Sequence, residues 1–184
     1  QFNLGREVVL VPVAWDYDGW PLADNENGMV NLTERRPDLP VYRPPFQSRV
    51  DNFESDELDM VWCMRRPIAE AFYSLTKCPG YLRLYLKRVR AEEPGAASML
   101  VRRQQHNDFQ AAAAMEFMPQ AEGEEAGLIV TQNECFSYLL VKEQQRGSAW
   151  VSAYQVAGGV RRQIATVPAE PGRVYLYLEG GEGS

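Results

Sequence analysis

The chain has 184 residues, 45% of them hydrophobic, and a formal net charge of −6. That is enough apolar material for one full core and part of a second, since domains run to about 100–150 residues. The acidic balance excludes nucleic acid as a partner, because phosphate binding needs clustered Lys and Arg. Arg65-Arg66, Arg102-Arg103 and Arg161-Arg162 are short basic pairs expected on solvated strand faces. No apolar run approaches the roughly 18 residues that cross a bilayer as a helix, so no membrane partner is expected. The chain opens on Gln1 without an initiator Met, as expected either after removal of a leader or, as the organisation along the chain favours, for a piece of a longer protein.

Glu7 to Trp15 carries a β-branched run, Val8-Val9-Leu10-Val11-Pro12-Val13, which predicts a strand apolar on both faces. Asp18-Gly19 predicts a turn, and Trp20-Pro21 the start of a return strand. An isolated hairpin is marginal in water, so this one needs something to pack on, whether a partner domain or a copy of the same chain. Pro37, Pro40, Pro44 and Pro45 mark an extended linker over 37–46, which separates residues 1–36 from a domain over 47–184.

Beyond the linker, short apolar alternations follow one another between turn signals. Leu82, Leu84 and Leu86 share a face in the first, and Ala97 to Arg103 forms the next candidate strand. Ala111-Ala112-Ala113-Ala114 favours helix by intrinsic propensity. The period-two set Phe109, Ala111, Ala113, Met115 and Phe117 outweighs it and predicts a strand. Strands are further expected at 126–131, 136–142, 150–156, 161–166 and 174–178, with Val174, Leu176 and Leu178 facing inward. Breaks fall at Pro79-Gly80, Pro94-Gly95, Pro119 to Gly123, Gly147-Ser148, Gly158-Gly159 and Pro171-Gly172. Many short strands at regular spacing, with no long helix, predict an all-β fold: an antiparallel β-sandwich of jelly-roll type.

The reactive residues are sparse. Cys63 and Cys78 are spaced for a local disulfide between adjacent strands, closing a loop of about 15 residues worth about 3 kcal/mol in the chain-entropy model. One histidine, His106, and unpaired Cys spacings exclude a structural zinc. Asn31-Leu32-Thr33 is an N-glycosylation sequon. Asp and Glu number 25, yet none sits in a motif that pairs two of them across a scissile bond, and Glu122, Glu124 and Glu125 read as a solvated turn. Trp150 and Tyr154 are four apart and share a strand face, where they could form an aromatic platform for a sugar. Trp62 reads as core.

Asn3-Leu4-Gly5-Arg6-Glu7, Pro12-Val13-Ala14-Trp15 and Asp18-Gly19-Trp20-Pro21 resemble the closing stretch of the five-bladed β-propeller of glycoside hydrolase family 43. Asp51 to Leu58 with Trp62, Pro79 to Leu84, Leu100 to His106 and Ala121 to Leu128 resemble, in order, the concanavalin-like sandwich that follows that propeller in β-xylosidases and α-L-arabinofuranosidases. The resemblance implies an accessory sandwich that supports and shields a propeller active site for xylo- or arabino-oligosaccharides, secreted or extracellular, or cytoplasmic for a bacterial parent. The family's three catalytic acids lie in the propeller, so no catalytic residue is expected in this chain. Arg6 matches an arginine that reaches the substrate pocket, the alternative being an ion pair with Glu7 or another charge. Asp51 matches an acidic position that the resemblance links to a structural calcium ion. The other functions weighed are a free-standing xylan-binding module or lectin and, more remotely, an autonomous hydrolase.

Overall fold

The computed structural model describes residues 8–23, 28–45, 48–67 and 70–181, in two units, Gln1–Val50 and Asp51–Ser184. Among the described residues there is no helix, and every paired strand is antiparallel.

In the N-terminal unit, β1 (Ala14–Trp15) pairs with β2 (Pro21–Leu22). Asp16 builds the turn: its amide donates to Trp20 O at 3.0 Å, and its Oδ1 accepts from Trp20 N at 2.7 Å. Gly19 closes the turn at φ 80, where a Cβ would be strained. The hairpin expected around Asp18-Gly19 is therefore present, but of the described residues in the strand expected over 7–15 only the last two pair. A ladder needs a partner for each N–H and C=O, and β2 begins at Pro21, which has no N–H to give. Val8, Leu10, Tyr17 and Trp20 are left largely exposed.

Among the described residues the C-terminal unit has three sheets. β3 (Tyr73–Ser74) pairs with β4 (Arg83–Leu84), and β5 (Phe109–Glu116) pairs with β10 (Arg173–Gly180). β6 (Glu125–Asn133), β7 (Phe136–Gln145), β8 (Ser148–Ala157) and β9 (Val160–Pro168) form a meander in that order. The alanine run is a strand: Phe109, Ala111, Ala113 and Met115 are half-buried while their neighbours are exposed. On β10, Leu176 is buried between half-buried Val174 and Leu178.

Two-residue turns set the meander's register. Arg146 (φ 51) with Gly147 (φ 78), and Gly158 (φ 60) with Gly159 (φ 79), are left-handed pairs, the type I′ geometry that matches strand twist. The β6–β7 turn is held instead by Asn133, whose Oδ1 accepts from Cys135 N at 2.8 Å and Phe136 N at 3.1 Å.

Two strand expectations are corrected. Over 81–86 only Arg83 and Leu84 pair, Leu84 and Leu86 are exposed, and Tyr85 N goes to Phe72 O at 2.8 Å. The strand expected at 97–103 is a single bridge between Cys63 and Val101, although Ala97 and Met99 are buried as their alternation predicts. Neither segment has a long neighbour to extend its ladder.

The buried apolar residues are Phe72, Leu75, Ala97, Met99 and Leu176, and, on the meander, Leu139, Val141 and Val156. Each large side chain so buried contributes about 1.5–3 kcal/mol. Lys142, on the other side of β7, is fully buried. Its ammonium donates to Glu170 O at 3.2 Å and Gly172 O at 3.0 Å, tying the loop before β10 to the meander.

Candidate functional site

The richest polar cluster stands on one face of the meander. The register lines up Glu125, Glu143, Trp150 and Pro168 across the four strands, with Val141, Ser152 and Thr166 in the next row and Leu139 and Tyr154 beyond. Arg161 lies further along, opposite Val156, at the far diagonal corner from Glu125. Even so, its Nη2 meets Glu125 Oε2 at 2.6 Å. The sheet therefore coils until opposite corners meet, which makes this face concave. Gly127, beside Val141, permits the curl: a Cβ there would lie 2.0 Å from Leu140 O.

Arg161 binds Glu125 through both terminal nitrogens and Glu92 Oε1 at 2.6 Å, and its guanidinium lies 3.8 Å from the centroid of the Tyr154 ring. Burial alone would pull its pKa down, but the bonds to Glu125 and Glu92 outweigh it and hold the guanidinium above its ordinary value. Glu92 sits on a loop that Arg65 fastens by donating to the carbonyls of Ala91, Glu93 (2.8 Å) and Gly95 (3.2 Å). Ala91 packs on the Leu139, Val141 and Val156 cluster. Glu92 Oε2 and Arg161 Nε are buried without a hydrogen-bond partner.

Glu143 is the other charge on this face, and it is only 8% exposed. Its Oε1 accepts from Tyr154 OH at 2.6 Å and from Gln145 Nε2 at 2.8 Å. Gln145 Nε2 also approaches Ser152 Oγ (3.3 Å) and Tyr154 OH (3.2 Å), and Ser152 Oγ shares a hydrogen with Thr166 Oγ1 at 2.9 Å. Burial, and after it the bond to Glu143, pushes the Tyr154 phenol above its ordinary pKa. Among the described residues no cation pairs with Glu143, so its charge rests on neutral donors. Trp150 is half-buried beside it, with Nε1 donating to Gln145 O at 3.2 Å.

Trp150 and Tyr154 thus stand on one face, but Arg161 covers a face of the Tyr154 ring, so the two do not form an open aromatic pair. Arg6 lies outside the described residues. Asp51 holds the start of its unit: Oδ1 accepts from Phe53 N (2.8 Å), in a turn where Phe53 has φ 53, and Oδ2 from Trp62 Nε1 (2.7 Å). Calcium takes six to eight oxygens. Among the described residues no three His, Cys, Asp or Glu side chains converge on a point. Both carboxylate oxygens of Asp51 are engaged by donors of the chain itself.

Cys63 and Cys78 are free thiols, as is Cys135. Cys63 is engaged through its backbone with Val101, whereas Cys78 sits in the turn before β4, so the expected disulfide between adjacent strands does not form. Asn31 is exposed, its Nδ2 donating to Glu34 Oε1 at 2.7 Å. His106 is exposed, and its carbonyl accepts from Gln104 Nε2 at 2.8 Å.

Two charge readings are overturned. Glu125 is not on a solvated turn but on β6 in an ion pair, and Arg161 and Arg65 are not solvated but largely buried. The sequence does not single out Glu143 or Glu92, and it marks Arg161 only as part of a solvated basic pair. The available signal was parity: Glu143 continues the inward row of Leu139 and Val141, where a charge is out of place.

An antiparallel four-stranded meander beside shorter antiparallel sheets, with no helix among the described residues, defines an all-β fold of the β-sandwich class. The model of the beta xylosidase C-terminal Concanavalin A-like domain (GH43_C2) matches residues 50–183, and the chain belongs to that glycoside hydrolase family 43 group. It is 37% identical over 145 residues to a non-reducing end alpha-L-arabinofuranosidase of Bacteroides ovatus, covering 79% of this chain and 27% of the relative. It is 34% identical to a xylosidase/arabinosidase of Butyrivibrio fibrisolvens, covering 96% of this chain and 34% of that protein. Among solved structures, the GH43 BlXynB protein from Bacillus licheniformis matches with TM-score 0.87 at 27% identity, over 98% of this chain and 35% of that one. The GH43B protein of the Bacteroides ovatus xyloglucan PUL matches with TM-score 0.83 at 31% identity, over 94% and 34%. The chain spans about a third of the length of the relatives it matches.

Proposed function

We propose that this chain is the accessory sandwich of a glycosidase acting on xylan- or arabinoxylan-derived oligosaccharides, and that it works by docking on a catalytic propeller and shielding its active site. The observation that carries this reading is that the similarity runs through both units. The Butyrivibrio xylosidase/arabinosidase is matched over 96% of the chain, N-terminal unit included, and a free-standing binding module has no use for that unit. The exposed Val8, Leu10, Trp15 and Trp20 support it, being apolar surface that another body would cover. Glycoside hydrolysis needs two carboxyls set across the bond. Here Glu125 and Glu92 are committed to Arg161, and Glu143 to Tyr154 and Gln145.

The test is a chimera in which this chain replaces the corresponding third of the Butyrivibrio enzyme. Hydrolysis of nitrophenyl xyloside or arabinofuranoside should rise well above that of the truncated enzyme. A folded chimera no more active than the truncation would reject the accessory role.

A further inference from the structure

We infer that the concave face of the meander carries a glycan-binding site centred on Trp150 and Glu143. A sugar is recognised by an apolar C–H face and by hydroxyls that donate to fixed acceptors, and this face supplies both. Trp150 offers a half-buried indole whose Nε1 is already bound to Gln145 O, so the ring is held in one orientation before a ligand arrives. Glu143 lies next to it in the cross-strand row, and it is more than nine-tenths buried.

The bonding of Glu143 engages one oxygen of the two. Both of its bonds, from Tyr154 OH and Gln145 Nε2, land on Oε1, which leaves Oε2 for another donor. Among the described residues no cation neutralises it, since Arg161 on the same face is spent on Glu92 and Glu125. A carboxylate desolvated to this degree and served by two neutral donors gains from further donors, which a vicinal diol provides without adding charge. Thr166 lies in the adjoining row on one side and Gln145 in the adjoining row on the other, and both extend the polar rim. Tyr154 does not stack on the ligand, because Arg161 occupies its ring; it is a positioning residue that holds Glu143. The acidic surroundings disfavour a uronic acid or phosphate, so the ligand is a neutral oligosaccharide.

The choice of a xylo-oligosaccharide as first probe rests on the proposed function, while the site itself does not. Calorimetric titration of the full chain with xylohexaose, and in parallel with cellohexaose and mannohexaose, tests it. Xylohexaose should bind, and Trp150→Ala and Glu143→Gln should each weaken binding at least tenfold with the circular dichroism spectrum unchanged. Should either variant unfold, Thr166→Val on the exposed rim is the substitute, with a loss of threefold or more. Trp150→Phe, which keeps an aromatic face, should retain most of the affinity. Failure of all three sugars to bind, or binding indifferent to these substitutions, overturns the inference and leaves the chimera test standing. Substitution-sensitive binding of cellohexaose or mannohexaose alone upholds the site and counts against the xylan reading.

Discussion

Arg161 faces three competing demands at once. It neutralises two carboxylates from different elements, stacks on Tyr154, and closes the diagonal of a coiled sheet. Truncating one partner of a buried ion pair costs far more than the pair contributes, because the other charges are stranded. Arg161→Ala should therefore lower the unfolding free energy by about 3 kcal/mol, whereas Arg162→Ala, one residue along and exposed, should stay within about 0.5 kcal/mol. Urea unfolding of the two variants separates the cases. Tyr154 makes a pH prediction on the same network. Its folded pKa is raised, so the folded state holds its proton more tightly than the unfolded one. That contribution is complete below the unfolded pKa near 10 and disappears as pH rises through the higher folded value. Thermal unfolding of Tyr154→Phe should accordingly fall less steeply than that of the parent above about pH 10. An unchanged alkaline slope would mean that Tyr154 carries none of it.

At the scale of elements, β-meander geometry turns on glycine in one place and on its absence in another. Gly127 faces backbone so closely that a methyl group cannot fit without moving the strand, and Gly127→Ala should cost about 1–3 kcal/mol. Arg146 occupies a left-handed turn position suited to Asn or Gly. Arg146→Asn should raise the melting temperature by a few degrees, as it relieves a strain of about 1 kcal/mol. The sequence already announces these hairpins through Gly147 and Gly158-Gly159, and the alternation in β5 and β10 is legible for the same reason, since a period of two is a local property. Coiling is not local. It brings Arg161 to Glu125 across four strands, and no spacing along the chain encodes that meeting, so both residues read as solvent-facing. The short ladders at 83–84 and at Cys63 escape for a related cause: apolar alternation shows which side of a segment is buried, not whether a neighbouring strand exists to pair with it.

For the whole molecule, the decisive contrast is between the two units. In Asp51–Ser184, apolar rows on β5, β7, β8 and β10 turn inward, and charges that enter the interior are paired or capped. In Gln1–Val50, by contrast, Val8, Leu10, Val13, Trp15, Tyr17, Trp20 and Leu22 are all exposed, around a ladder only two residues long. Such a segment gains too little from its own contacts to offset its ordering entropy, and its apolar surface is an association site in want of a partner. The chain on its own should therefore self-associate through this unit. Light scattering after size exclusion should give a mass above the monomer that falls on dilution, and Leu10→Lys combined with Trp20→Ser should shift it to the monomer without altering the sandwich's circular dichroism. Supply of a family 43 propeller should compete with self-association, since both would cover the same residues. A strictly monomeric parent chain, at concentrations where the double variant behaves identically, would show that these side chains seek no partner and would undercut the docking role.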